Sequence, residues 1–209
     1  MTNLIIVYSI LVFLLLYFVA ILSIKFNLLD TPNKRKIHKY NVPYTGGLAI
    51  SLALLCSQKI FDINLIELNL ILSMSLLMMV VGLLDDKFQL NTGNKIILQI
   101  FPIFYLVVTQ NINLTYLGNY NFFELKLQSF AIPFSFACIL LLINSFNYFD
   151  GIDGSLSFST LSTLSILFFL TQNKEIELFI IIFSLPIIVF LFFNFSLFKL
   201  PKLFLGDSG

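Results

Sequence analysis

The feature that most constrains this chain is a succession of apolar runs, each close to the roughly 20 residues that a helix needs to cross a hydrocarbon core of about 30 Å. Seven such runs occupy about 4–24, 46–61, 68–84, 95–110, 130–148, 155–171 and 177–195. The second, fourth and sixth are short for a span. Only 11% of the 209 residues are charged and 58% are hydrophobic, whereas a soluble domain carries roughly a quarter charged residues, so a water-soluble globule is excluded. The fold class that follows is all-α: a polytopic helical membrane protein with about seven transmembrane helices, forming one integral-membrane domain over residues 1–209. The first run is too long and too evenly apolar for a cleavable signal, and no small-residue cleavage site precedes Lys25; it stays as a helix. A net charge of +1, with basic residues in short clusters between apolar runs, gives no support to nucleic-acid binding. Cys56 and Cys138 each sit inside an apolar run and read as free thiols.

Lysine and arginine set the orientation, because basic loops stay on the cytoplasmic side. With seven alternating spans, one set of loops holds Lys25, Lys34, Arg35, Lys36, Lys39, Lys87, Lys95, Lys199 and Lys202, and the other holds Lys59, Lys126 and Lys174. The first set is assigned to the cytoplasm and the N-terminus to the outside. Asp30, Asp85, Asp86, Asp150, Asp153 and Asp207 then also fall on the cytoplasmic side, while Asp62 and the four glutamates fall outside.

Three loops thus bring carboxylates to one surface: Gly82–Asp86, Asn144–Gly154 and Phe204–Gly209. In the second, Asn144, Asn147, Asp150 and Asp153 recur every third residue, which on a continued helix makes one slanting polar stripe. Gly151 and Gly154 let the backbone leave helical geometry near a ligand. A lone Asp at a helix end ordinarily caps it or wets a loop. A cluster is different, since two like charges about 4 Å apart repel by roughly 4 kcal/mol at an effective dielectric near 20, so the cluster needs a cation or shared protons. An oxygen-rich site suits Mg²⁺ or Mn²⁺ holding substrate phosphates. Metal-assisted chemistry on a phosphate ester is the natural inference.

The first cytoplasmic loop supplies the opposite charge. Lys34, Arg35, Lys36 and Lys39 surround the only histidine, His38. Such a loop serves either as an anchor on anionic headgroups or as a clamp on a diphosphate. Gly46-Gly47 at the start of the second run offers backbone N–H groups for anions.

These motifs, Asp30-x-Pro32-x-x-Arg35-Lys36-x-His38, Pro43-x-x-Gly46-Gly47, Gly82-x-x-Asp85-Asp86, Asn144-x-x-Asn147-x-x-Asp150-Gly151-x-Asp153-Gly154 and Phe204-x-Gly206-Asp207-Ser208-Gly209, occur in the order seen in polyprenyl-phosphate N-acetylhexosamine-1-phosphate transferases, and the chain resembles that family from Asp30 to Gly209. The basic loop looks more like the branch using UDP-N-acetylglucosamine or a related UDP-sugar than the muramoyl-pentapeptide branch. Gln89 stands where many members carry a third acid, and Asn194 lies farther from Phe204 than the family's usual Asn. Members continue through further spans and a histidine-bearing cytoplasmic loop, so the chain is expected to be a truncated or partial member.

The resemblance implies transfer of a sugar-1-phosphate from a UDP-N-acetylhexosamine to undecaprenyl phosphate at the cytoplasmic face of a bacterial inner membrane, an early step toward an envelope glycan such as lipopolysaccharide. Membrane lipid is a partner, nucleic acid is not, and a homodimer is compatible with this. By matching position, Asp207 with Asp150 would hold Mg²⁺ (or Mn²⁺), and Asp85, Asp86 and Asp150 would form the catalytic set. Asn147, Asp153 and Phe204 would bind substrate, Asp153 and Phe204 holding uridine by hydrogen bonding and stacking, and Lys36, Lys39 and His38 would meet phosphates. An inactive fragment and an ion-coupled transporter are the alternatives. A membrane prenyltransferase would need two separated Asp-x-x-x-Asp-type motifs, which are missing here.

Overall fold

A computed structural model of the chain describes residues 2–32, 40–62 and 66–209. Among these residues are seven α-helices: α1 (Thr2–Lys25), α2 (Gly46–Ile60), α3 (Ile66–Phe88), α4 (Thr92–Phe104), α5 (Ala131–Phe149), α6 (Ser155–Leu170) and α7 (Lys174–Asn194). Each falls on one of the seven apolar runs. Five helical stretches are long and apolar enough to cross a membrane: α1, residues 68–88 of α3, α4 with its π-helical continuation Tyr105–Thr109, α5 with the preceding turn, and α7. The count of seven spans is therefore only partly matched: α2 and α6 have 15 and 16 residues, about 24 Å at 1.5 Å per residue.

The structure is not purely helical. Strands β1 (Leu29–Asp30) and β2 (Val42–Pro43) pair antiparallel, Leu29 with Pro43 and Asp30 with Val42. Strands β3 (Tyr116–Asn119) and β4 (Glu124–Lys126) form a second antiparallel ribbon between α4 and α5. Ladders this short carry no alternating pattern for a sequence to display, because strand periodicity needs at least four or so residues to register.

The core gathers α1, α2 and α7. On α1, Tyr8, Val12, Leu16, Val19 and Ala20 recur at helical spacing and are buried. They meet Ala49 and Ala53 of α2, whose small side chains let two helices approach closely, the usual device where lipid removes the hydrophobic drive between helices. Ile182, Phe190 and Phe193 of α7 complete the cluster, and Leu203 and Leu205 extend it beyond that helix. Tyr8 sits edge-on to Phe61 and donates its hydroxyl to the Ile182 carbonyl at 3.4 Å. From this core α3 packs on α2, α4 on α3, α5 on α4, and α6 on both α5 and α7. The ends of α1, α3, α5 and α7 and the starts of α2, α4 and α6 consequently lie at one end of the bundle.

Candidate active site

At that end the segment Leu203–Gly209 folds back over the tops of α2 and α3. Asn194, buried at the end of α7, donates its amide to the Leu203 carbonyl at 3.0 Å. The Phe204 N–H then donates to Pro43 O at 2.8 Å, and the N–H groups of Gly46 and Gly47 donate to the carbonyls of Phe204 and Leu205, each at 2.9 Å. These bonds correct one sequence expectation. The Gly46-Gly47 amides are not open to an anion, because neighbouring backbone carbonyls already accept from them.

The fold-back needs room that side chains would fill. A Cβ on Gly82 would overlap the Asp207 carbonyl, so the α3 glycine is what lets the loop settle there. Gly206 turns the chain at φ +74° against the Tyr44 carbonyl, a left-handed conformation that only glycine adopts without strain. The Asp207 N–H consequently reaches Asp86 Oδ2 at 2.9 Å.

Around Asp207 the predicted acids assemble. Lys95, on the first turn of α4, places its Nζ 2.6 Å from Asp207 Oδ2 and 2.6 Å from Asp85 Oδ2. Asn91 caps α4 by accepting the Asn94 N–H at 2.8 Å, which fixes where that first turn begins. The other oxygen of Asp85 accepts the Leu90 N–H at 3.0 Å and closes the α3–α4 turn. Asn147 of α5 lies close enough to the Asp207 carboxylate to stabilise its charge. Asp150, the C-cap of α5, lies within electrostatic range of both Asp207 and Asp153. Burial, and then the negative charges of Asp207 and Asp153, push the Asp150 carboxyl up to about 7. Burial alone would also raise Asp207, but its contacts with Asp85, Lys95 and Asn147 outweigh this and hold it below the ordinary carboxylate value. Tyr44 is pushed up by burial and by the charges of Asp86 and Asp30, which puts the base of the β1–β2 ribbon beside the same acids.

A second, more exposed group adjoins the first. Lys202 Nζ lies 2.6 Å from Asp153 Oδ2 and 5.2 Å from the centre of the Phe204 ring, so one ammonium links the two residues assigned to uridine.

The family model for glycosyl transferase family 4 matches residues 68–209. The chain belongs to glycosyl transferase family 4. It is 27% identical, over 90% of its length, to a protein of Yersinia pestis named undecaprenyl-phosphate alpha-N-acetylglucosaminyl 1-phosphate transferase. It is 28% identical, over 94% of its length, to the protein of that name from Escherichia coli O157:H7. Those matches take in 53% and 55% of the two relatives; the chain spans about half the length of the curated relatives it matches.

Placed on this family 4 chain, the predicted residues divide into three sets. Asp85, Asp86 and Asn147 gather at Asp207, and Asp150 lies within electrostatic range of it. Asp153 and Phe204 meet one another through Lys202. Lys36, Lys39 and His38 lie outside the described residues, on the segment that β1 and β2 bracket. The polar stripe is shorter than expected. Asp150 ends α5, and Gly154 starts α6 at φ +75°, so Asp153 sits in a turn rather than on the helix. Asn144 leaves the stripe to donate to Gln99 Oε1 at 3.0 Å. Gln89, at the position of the family's third acid, is exposed and ends α3 at φ +51°.

The sequence does not single out Lys95 and Lys202 as parts of the site, and Asn194, despite its greater distance from Phe204, anchors the loop through Leu203. For Lys95 the signal is its position, since an ionisable residue inside a run counted as a span is a functional candidate by default. The donor set suits a hard cation. It consists of oxygens, and two of its carboxylates already grip a positive charge, the Lys95 ammonium. Among the described residues no three acidic, imidazole or thiol groups converge as a metal cage.

Proposed function

We propose that this chain moves N-acetylhexosamine 1-phosphate from a UDP-sugar to undecaprenyl phosphate, at the cytoplasmic face of a bacterial inner membrane. The observation that carries this is the gathering of Asp85, Asp86 and Asn147 around Asp207, with Asp150 in electrostatic range, at one end of an apolar bundle, in a family whose relatives are named for that kind of transfer. A lipid phosphate rides at the bilayer surface and a nucleotide sugar arrives from water, so polar groups crowning the helix ends stand where the two meet. In the reaction an oxygen of the lipid phosphate attacks the sugar-bearing phosphorus, the bond from that phosphorus to the UMP oxygen breaks, and UMP departs. Asp85 and Asp86 orient the lipid phosphate. Asp153 and Phe204 hold the uracil ring by hydrogen bonding and stacking. Lys36, Lys39 and His38 meet phosphate oxygens. Mg²⁺ or Mn²⁺, held by Asp207 with Asp150, neutralises charge on the diphosphate when bound. In this arrangement α2 and α6 also cross the bilayer, because each starts at the acidic end and the helix that follows it returns there.

An ion-coupled transporter would keep its ionisable groups near the bilayer midplane, and here they crowd one end. Incubating the purified protein with radiolabelled UDP-N-acetylglucosamine, undecaprenyl phosphate and Mg²⁺ should move label into the lipid phase, and Asp207→Asn should abolish the transfer. Label that stays wholly aqueous with the unmodified protein overturns the proposal.

A further inference from the structure

Lys95 has no part in the chemistry described so far, yet it holds the centre of the site. Its ammonium contacts Asp85 Oδ2 and Asp207 Oδ2 at the same 2.6 Å. Its side chain is only 15% exposed, and that of Asp85 only 11%, so water has little access to screen the charges. Those two oxygens come from elements far apart in sequence, the end of α3 and the loop after α7. Without a positive charge between them they would repel strongly in this setting.

We propose that Lys95 is a tethered counter-cation, occupying the Asp85–Asp207 pair when the divalent ion is absent and displaced from it when the ion binds. This rests on the proposed divalent site and adds the residue that guards it. An ion held by Asp207 with Asp150 would compete for the carboxylate that the ammonium now grips, and the two positive charges would repel across this poorly screened site. The two cations therefore exclude one another. Once displaced, the ammonium is a point-charge donor for a phosphate oxygen, a role lysine fills well because its three donors rotate freely. Ion entry and phosphate capture thereby become one exchange rather than two independent events. The acids also remain paired between turnovers.

Mn²⁺ binding, measured by electron paramagnetic resonance on the detergent-purified protein without substrates, tests the exchange. Lys95→Met removes the competitor, and Mn²⁺ should bind at least about tenfold more tightly than to the unmodified protein, whereas Lys95→Arg should bind no more tightly than the unmodified protein. Equal or weaker binding by Lys95→Met overturns the role of Lys95 and leaves the divalent site standing. Absence of Mn²⁺ binding in every form overturns the divalent site itself. A second measurement needs no variant. Amine acylation of Lys95 in the unmodified protein, quantified by mass spectrometry, should rise several-fold when Mn²⁺ saturates the site, and unchanged labelling overturns the exchange even where Lys95→Met fails to fold.

Discussion

At the scale of single residues, the site depends on two opposite requirements, close approach of backbone and separation of charge. Gly82 meets the first. Gly82→Ala forces a methyl against the Asp207 carbonyl, and overpacking of this kind costs about 1–3 kcal/mol; detergent melting should show the loss, with Mn²⁺ affinity falling alongside it. A melting point equal to that of the unmodified protein would mean that Leu203–Gly209 does not rest on α3. Asp150 illustrates the second requirement. Its folded-state value is raised from 3.8 to about 7, so the metal-free fold favours the neutral acid, and stability declines as pH climbs from about 4 towards 7. A cation binds the ionised form, which reverses the sign for binding: Mn²⁺ affinity should rise by up to about tenfold between pH 6 and pH 7, with proton release on binding. Asp150→Asn should flatten that slope. A slope that survives unchanged would assign the proton to another group.

At the scale of elements, Gln99 and Asn144 show how an apolar bundle sets its own register. Lys95 and Gln99 are one turn apart on α4, and Asn144 and Asn147 about one turn apart on α5, so each pair shares a face. The deeper members hydrogen-bond across the helices at 3.0 Å, with Gln99 2% exposed, while the shallower members both reach Asp207. The inner bond thereby fixes the rotation that aims the outer pair. Interhelical polar pairs in membranes are worth about 0.6–1.7 kcal/mol. A double-mutant cycle over Gln99→Leu and Asn144→Leu should return coupling in that range, and additive losses would show that the two side chains do not act together. This clasp was only half legible in the sequence. Asn144 was noticed for its threefold spacing with the motif acids, but Gln99 carried no signal of its partner, because nothing in a linear pattern states which faces of two neighbouring helices meet. The seven apolar runs, by contrast, map onto seven helices, since hydrophobic length is a local property. The β1–β2 and β3–β4 ribbons escaped notice because they are too short to alternate. Gly46-Gly47 was misjudged because its acceptors, the carbonyls of Phe204 and Leu205, lie more than 150 residues away in sequence and belong to backbone, which a motif does not reveal.

At the scale of the whole molecule, the prediction is one of sidedness. The α3–α4 turn and the α5–α6 turn must face the same compartment, and the β3–β4 ribbon the other. With Cys56 and Cys138 replaced by serine, single cysteines at the exposed positions Asn91 and Ile152 should react with a membrane-impermeant thiol reagent from one side, and a cysteine at Asn121 only from the opposite side. Reaction of positions 91 and 152 from different sides would dismantle the site altogether. That the motif acids share one end of the bundle was legible in the sequence, since the distribution of lysine and arginine groups their loops together with no knowledge of packing. What it could not supply was depth. Asp85 and Asp207 are drawn far enough from water to need a counter-charge, and that follows from how α4 leans on α3.

The bonds from Gly46 and Gly47 to Phe204 and Leu205 join stretches that leave the ribosome far apart in time. Until Asp207 emerges, a growing chain already inserted through its first six helices has Lys95 with Asp85 but lacks the second carboxylate. Maturation of the acidic centre is therefore coupled to synthesis of the stretch that follows α7, and an intermediate released before that point would lack every contact that Asp207 makes with Lys95 and Asp86.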